Sequence, residues 1–301
     1  MGKGTGFGKV ILLGEHFVVH GAPAIAGGIS NTSQVEVKRS DKNGIVTKQK
    51  VVEATSIVSI ENVLRSMGVK QKYMVHLGGD LPTYGGLGSS AAFCVGMVRA
   101  IADDQGTHPT NEQVNRHAYE GEKAFHGNPS GIDNTMATHG GIIEFRRGKT
   151  MEDSKFEPLE MHKSLDIVVA FSGRYSETAK MIERVRKYKE GDEGEFQQMT
   201  DEYLELEMEG RKCIEKGKLD VLGKLMNENQ AILSELGLSD ESNDRINQIC
   251  MDAGAFGAKV TGGGGGGCCI ALAKDSAHAI TITEALKKKG FESFATRIVK
   301  K

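Results

Sequence analysis

The sequence predicts two α+β domains in tandem, on three observations. The chain has 301 residues, enough for two domains of ordinary size. Both halves alternate strand-like runs with segments of helical period. Between them, residues 150–163 are charged, unpatterned and interrupted by Pro158, so the boundary is placed there, giving domains 1–158 and 159–301.

Taken in order, the chain opens on a glycine-rich stretch, 1–9, without a long apolar core, which is not expected to be a signal peptide. Two apolar runs then flank His20-Gly21-Ala22-Pro23, the pattern of a hairpin. Lys9, Glu15 and His16 interrupt them, and charges inside a strand need either water or a partner. Strands are expected at 34–39 and 45–52, and a helix at 54–67 with Ile57, Ile60, Val63 and Leu64 on one face. A strand at 72–77 leads into Thr83-Tyr84-Gly85-Gly86-Leu87-Gly88-Ser89-Ser90-Ala91-Ala92, and 91–102 reads as a helix of small and apolar residues.

Strand, glycine turn and helix N-terminus together make an anion site. Glycine lets the backbone approach closely, and the first helical N–H groups lack partners at the positive end of the dipole. A phosphate would satisfy both. No Lys follows the last glycine and no G-x-G-x-x-G is present, so this is neither a Walker A loop nor a dinucleotide fingerprint. Ser89 and Ser90 either cap the helix or ligate a Mg²⁺ held between phosphates.

Thr110 and Gln113 form a capping box for a helix running to about 126 and ending at Gly127. Glu122 lies near its C-terminal end, either as a surface acid beside Lys123 or as a metal ligand. Gly127-Asn128-Pro129 turns the chain, Ser130 is placed to cap a short helix to 137, and Asp133 falls in its first turn, as a helix-start acid or a general base. A strand at 140–146 closes the half.

The second half begins with a buried strand at 166–171 and a loop at 172–178. Helices follow at 176–189, 195–215, 219–236 and 243–253, the second burying Met199, Tyr203, Leu206 and Cys213. A strand at 256–261 enters six consecutive glycines, 262–267, and a strand resumes at once at 268–272. Such a run is entropically costly, and here it suggests a backbone that approaches something closely rather than a linker. A helix at 278–289 and a strand at 291–299 finish the chain.

Composition excludes several classes. Lys plus Arg (38) nearly balance Asp plus Glu (40), for a net charge of -2, so no basic field points to nucleic acid. Lys287-Lys288-Lys289 and Lys300-Lys301 read as solvated faces. Five cysteines, Cys94, Cys213, Cys250, Cys268 and Cys269, contain no C-x-x-C and read as reduced thiols. No apolar run approaches the ~20 residues that span a bilayer. A cytoplasmic protein without membrane partners is expected.

Three stretches together carry a resemblance. Lys9-x-x-Leu12-x-Gly14-Glu15-His16-x-Val18-x-x-Gly21-x-Pro23-Ala24 is similar to the first motif of mevalonate kinases. Pro82-x-x-x-Gly86-Leu87-Gly88-Ser89-Ser90-Ala91 resembles the phosphate loop of the GHMP kinase superfamily, and Lys259-Val260-Thr261-Gly262 through Gly267-Cys268 its third motif. The stretch from Gly127 to Asn134 joins the first motif in pointing to mevalonate kinases within that superfamily. Tyr84 stands where many relatives have Gly, and Gly263 where many have Ala.

The resemblance implies an α+β two-domain GHMP kinase fold. Its N-terminal domain would be like ribosomal protein S5 domain 2, its C-terminal domain a ferredoxin-like α/β domain with extra helices, with the active site in the cleft between. It implies transfer of the γ-phosphoryl of ATP to the 5-hydroxyl of (R)-mevalonate, in a protein commonly a homodimer. Thr83, Gly85, Gly86, Leu87, Gly88, Ser89, Ser90 and Ala91 would hold ATP, and Ser90 and Glu122 would hold Mg²⁺. Asp133 would accept the hydroxyl proton, with Lys9 stabilising the alkoxide. Glu15, His16, Arg174 and Thr261 would meet the substrate. The competing readings are phosphomevalonate kinase, galactokinase or homoserine kinase, the related diphosphomevalonate decarboxylase, and a non-catalytic sensor on the same fold.

Overall fold

The computed structural model describes residues 1–47, 54–83 and 85–300. The chain forms two compact units, neither of them one run of sequence. The first comprises Met1–Lys9, Ser30–Thr83 and Gly88–Gly140; the second comprises Val10–Ile29, Tyr84–Leu87 and Gly141–Lys301.

Two long strands, β1 (Gly2–Leu13) and β2 (Pro23–Ser40), pair with each other, and each belongs partly to both units. The expected hairpin is therefore present as paired strands, but its connection differs. Residues Phe17–His20 form a 3-10 turn, closed by Gly21 at φ 91°, where the sequence suggested continuing strand. β1 also starts earlier than its apolar run. Gly2, Gly4 and Gly6 occupy alternate positions in it, and a Cβ at each would strike the backbone of the helix Ser89–Gln105 at Ala100, Gly96 and Ala92 in turn. Three missing side chains let strand and helix touch backbone to backbone.

In the first unit follow β3 (Gly44–Thr47), α1 (Ala54–Ser66), β4 (Lys72–Gly79), α2 (Ser89–Gln105), α3 (Asn111–His126) and α4 (Ile132–His139). Residues 48–52 of the strand expected at 45–52 lie outside the described residues. β2 runs antiparallel to β4 from Ser33 opposite Gly79 to Ser40 opposite Lys72, and β3 runs parallel to β4. Parallel neighbours need a crossover, and α1 supplies it. Val35, Val37, Tyr73 and Val75 of the strands pack with Ile60, Val63 and Leu64 of α1 and with Phe93, Met97 and Ile101 of α2. Ile57 is half-buried at the edge of this cluster.

In the second unit, the first half of β2 pairs antiparallel with β5 (Ile142–Arg146), which pairs with β6 (Lys155–Pro158). β6 lies in the stretch that carried no strand pattern. Next come β7 (Leu165–Phe171), α5 (Thr178–Gly191), α6 (Glu193–Lys216), α7 (Leu219–Glu235), α8 (Glu241–Asp252), β8 (Gly257–Thr261), β9 (Cys268–Leu272), α9 (Ser276–Lys288) and β10 (Ser293–Ile298). The strand order is β10-β7-β9-β8, each neighbouring pair antiparallel. That is the split β-α-β-β-α-β arrangement, with α5 to α8 standing where a ferredoxin-like domain has one helix. Val168, Val260, Cys269 and Ala271 of the strands pack with Ile246 and Cys250 of α8 and with Ile282 and Leu286 of α9. α6 buries Phe196, Met199, Tyr203, Cys213 and Ile214, while Leu206 is half-buried and Glu207 takes the buried place beside it.

β8 ends this run of strands, and α7 lies along it. Asn227 Oδ1 accepts the Ala258 N–H and Gln230 Oε1 accepts the Val260 N–H, both at 2.9 Å. Gly223 and Gly257 allow the contact, since a Cβ on either would meet the other segment's backbone.

All five cysteines are free and buried. Among the described residues no helix is long and apolar enough to cross a membrane.

Candidate active site

In the first unit, α2 starts from Gly88, the N-cap residue, at φ 66°. Among the described residues no side chain caps this helix, so the capping role open to Ser89 and Ser90 is not taken up. The Ser90 hydroxyl lies 3.4 Å from His126 Nε2. Thr83 is exposed, while Leu87 and Ala91 are buried and anchor the turn on either side; Tyr84 lies outside the described residues.

α3 begins with the expected capping box, Thr110 Oγ1 accepting the Gln113 N–H and Gln113 Oε1 accepting the Thr110 N–H. Val114, Ala118 and Glu122 recur every four residues on its buried face. Glu122 is thus fully buried, and the surface-acid reading fails: Lys123 pairs with Glu120 instead, at 2.6 Å. Burial pushes the Glu122 carboxyl up to about 8, and the Asp133 carboxylate adds to the rise; Ser90 and Lys9 oppose it. Among the described residues neither Glu122 oxygen has a well-formed hydrogen bond, and His126 Nε2 is 3.8 Å from Oε2.

α4 is N-capped by Gly131 at φ 88°, not by Ser130 as the sequence suggested. Left-handed backbone at that position suits glycine and leaves no capping task for the serine. Asp133 does fall in the first turn. Its Oδ1 lies 3.0 Å from Nζ of Lys9, which reaches it from β1. Lys9 is only 3% exposed, so it does not sit on a solvent face. Gly88 makes room for this lysine, because a Cβ there would stand 3.0 Å from Lys9 Cγ and 3.8 Å from Asp133 Cβ. Lys9, Asp133, Glu122, Ser90 and the start of α2 are therefore neighbours within one unit.

The second unit gathers the remaining candidates. Gly14 at φ 113° and His16 at φ 63° turn the chain out of β1, and His16 is the one non-glycine at positive φ among the described residues. Glu15 is buried and ion-pairs with Lys259 of β8, which also donates to the Val260 carbonyl at 2.7 Å. His16 Nε2 is 2.8 Å from the Gly263 carbonyl, and burial lowers the imidazole pKa. The Thr261 hydroxyl accepts the Ile11 N–H at 2.8 Å and donates to the Ile11 carbonyl at 3.3 Å, so backbone occupies it. Arg174 is exposed, 3.8 Å from Asp240, and its carbonyl accepts the Gly267 N–H.

The run 262–267 is a packed loop. Gly265 N–H bonds the Leu238 carbonyl, Gly266 N–H bonds Asn243 Oδ1, and the Ser176 hydroxyl donates to the Gly264 carbonyl. Gly85 and Gly86 belong to the same unit, and Gly86 lies against it: a Cβ on Gly86 would stand 2.7 Å from the Thr261 carbonyl oxygen.

Sequence reasoning gave no role to Lys259, Asn243 or Ser176. For Lys259 a signal existed, a charge inside an apolar strand, as at Lys9.

Among the described residues no cluster of three or more His, Cys, Asp or Glu side chains forms a metal cage. Glu122 and Ser90 instead fit a hard cation that keeps waters and substrate phosphates in its shell: the buried carboxylate has lone pairs to offer, and the hydroxyl is beside it.

Against known proteins, the chain matches the family model "GHMP kinases N terminal domain" over residues 51–141 and "GHMP kinases C terminal" over residues 211–292. It is 32% identical to the mevalonate kinase of Aeropyrum pernix, over 89% of this chain and 87% of that one. It is 31% identical to the mevalonate kinase of Thermococcus gammatolerans, over 91% of each. Its fold matches the crystal structure of L. major mevalonate kinase in complex with R-mevalonate with a TM-score of 0.92 and 34% identity, over 100% of this chain and 96% of that chain. With its motifs, its fold and these likenesses in agreement, the chain belongs to the mevalonate kinases of the GHMP kinase family.

Proposed function

We propose that the protein transfers the γ-phosphoryl group of ATP to the primary 5-hydroxyl of (R)-mevalonate, making 5-phosphomevalonate for isoprenoid synthesis. The observation that carries the mechanism is the pairing of buried Lys9 with Asp133 at 3.0 Å, beside the glycine turn that starts α2.

Phosphoryl transfer asks for charge neutralisation and in-line positioning more than for covalent help. The uncapped N-terminus of α2, with the backbone N–H groups from Gly85 to Ser90, holds the phosphates. Thr83, Leu87 and Ala91 shape that loop. Asp133 takes the proton of the 5-hydroxyl as the bond to phosphorus forms, and the Lys9 ammonium stabilises the oxygen as it gains charge. Glu122 and Ser90 would hold Mg²⁺, which when bound would neutralise phosphate charge. Glu15, His16 and Thr261 shape the mevalonate pocket, and Arg174 is the candidate cation for the substrate carboxylate. A homodimer working in the cytoplasm completes the reading, and sedimentation tests the first part of it.

The experiment is a coupled ADP-release screen with mevalonate, phosphomevalonate, galactose and homoserine. Turnover with mevalonate alone is expected, and preference for another of the four overturns the substrate. Asp133→Asn should lower kcat by ~10²–10⁴-fold while the protein melts as before. A folded Asp133→Asn enzyme with near-normal kcat removes Asp133 as the base.

A further inference from the structure

Lys259 is the one charge of the third motif, and the mechanism above does not use it. It sits in the middle of β8 between Ala258 and Val260, and every residue of that strand is buried. An ammonium in such a place is sustained only by a partner. Here the partner is Glu15, itself only 1% exposed, with the Val260 carbonyl taking a second hydrogen. Replacing a buried ion pair with apolar side chains is often neutral for stability, so stability alone is a weak reason for it.

What the pair holds in place is more specific. Glu15 stands between Gly14 at φ 113° and His16 at φ 63°, in a turn tied by the Phe17 N–H to the Glu15 carbonyl and the Val18 N–H to the Gly14 carbonyl. A histidine at positive φ is strained and persists only where its surroundings over-determine it. The His16 ring is then read from its own contacts. Nε2 is 2.8 Å from the Gly263 carbonyl, and a carbonyl can only accept, so Nε2 carries the proton. Burial favours the neutral ring, leaving Nδ1 as a lone pair, itself buried and without a partner among the described residues.

We propose that Lys259 is a positioning residue: by anchoring Glu15 in the core, it holds His16 in one backbone conformation and one tautomer, so that Nδ1 offers substrate an acceptor. An acceptor nitrogen suits an alcohol hydroxyl and repels a carboxylate. Lys259 thereby helps select a hydroxyl-bearing substrate and fixes which end of it faces His16. This rests on His16 being part of the mevalonate pocket.

The test compares wild type, Lys259→Met and the double variant Lys259→Met/Glu15→Leu by two readouts. The first is the ¹⁵N spectrum of the His16 ring without substrate, assigned by difference from His16→Gln. The second is KM for mevalonate against KM for ATP. Wild type should show a single neutral tautomer protonated at Nε2. Both variants should lose that signature and raise the mevalonate KM by about tenfold, the scale of one displaced hydrogen bond, with the ATP KM unchanged. If Lys259→Met fails to fold because Glu15 loses this ion pair, the double variant, which removes both charges of the pair, decides the matter. A folded variant that keeps the wild-type His16 spectrum and mevalonate KM reduces the pair to a structural staple and overturns the proposal. The spectrum needs no substrate, so a wild-type protein inactive on mevalonate sinks the function reading while Lys259 is still judged by the His16 ring.

Discussion

Glu122 shows how one position on a helix decides a residue's chemistry. Four residues on from Ala118, it faces the core, and its carboxyl is pushed up to about 8 from an ordinary 4.5. Between those values the folded protein keeps a proton that the unfolded chain has released. The folded state then binds more protons, so metal-free stability falls as pH rises through the window. Thermal melts in chelator from about pH 5 to about pH 8 should show this decline, and Glu122→Gln should flatten it. A cation must displace the same proton, so Mg²⁺ should bind more tightly at the alkaline end in wild type but not in Glu122→Gln. Parallel melting profiles for the two proteins would mean that Glu122 does not titrate there. The stripe Val114, Ala118, Glu122 was legible in the sequence, and it separates the buried reading from the surface one. Lys123 obscured it by offering a neighbouring cation whose real partner, Glu120, stands one helical turn before it. For Lys9 the strand pattern alone favoured a solvent face, and only the resemblance joined it to Asp133, since 123 residues of chain lie between them.

Among the elements, helices were read closely and strands less so. The periods of α1, α3, α6 and α7 are local properties, and their ends carry capping residues or glycines that sequence displays. Strand extent depends on a partner elsewhere. The first eight residues of β1 look like a loop because glycine is depleted from strands, yet Gly2, Gly4 and Gly6 are there to admit α2. β6 was missed because four residues, Lys155, Phe156, Glu157 and Pro158, are too few to show a period. The glycine loops were legible as special backbone, and the structure says which glycines matter. At Gly86 the backbone is at φ 97° and a Cβ would press on the Thr261 carbonyl, whereas at Gly85 the nearest atom to an added Cβ is Ser176 N, at 3.6 Å. Gly86→Ala should therefore raise the ATP KM by about tenfold or more, from roughly 1–2 kcal/mol of backbone strain and a displaced loop. Gly85→Ala should change it much less. Equal ATP KM values for the two variants, in steady-state kinetics, would contradict this account of the loop.

At the scale of the molecule, the mixture of strands and helices in both halves could be read from pattern, but not their arrangement. The order β10-β7-β9-β8 and the passage of β1 and β2 through both units rest on pairings between distant parts of the chain. Only the resemblance of three motifs pointed to that topology, because motifs identify kinship where periodicity identifies single elements. One boundary of the second unit bears on how copies of the protein can associate. Asn227 and Gln230 are three residues apart, so one face of α7 presents both amide oxygens to successive outward N–H groups of β8. Asn227→Ala with Gln230→Ala should lower the melting temperature, each orphaned N–H costing about 1–3 kcal/mol, and should increase light scattering on concentration. A double variant as stable and as monodisperse as wild type would show that the helix merely lies alongside. With those two oxygens in place, a foreign strand finds its docking register already filled. Fibril-like growth is refused along this rim, and self-assembly has to proceed elsewhere.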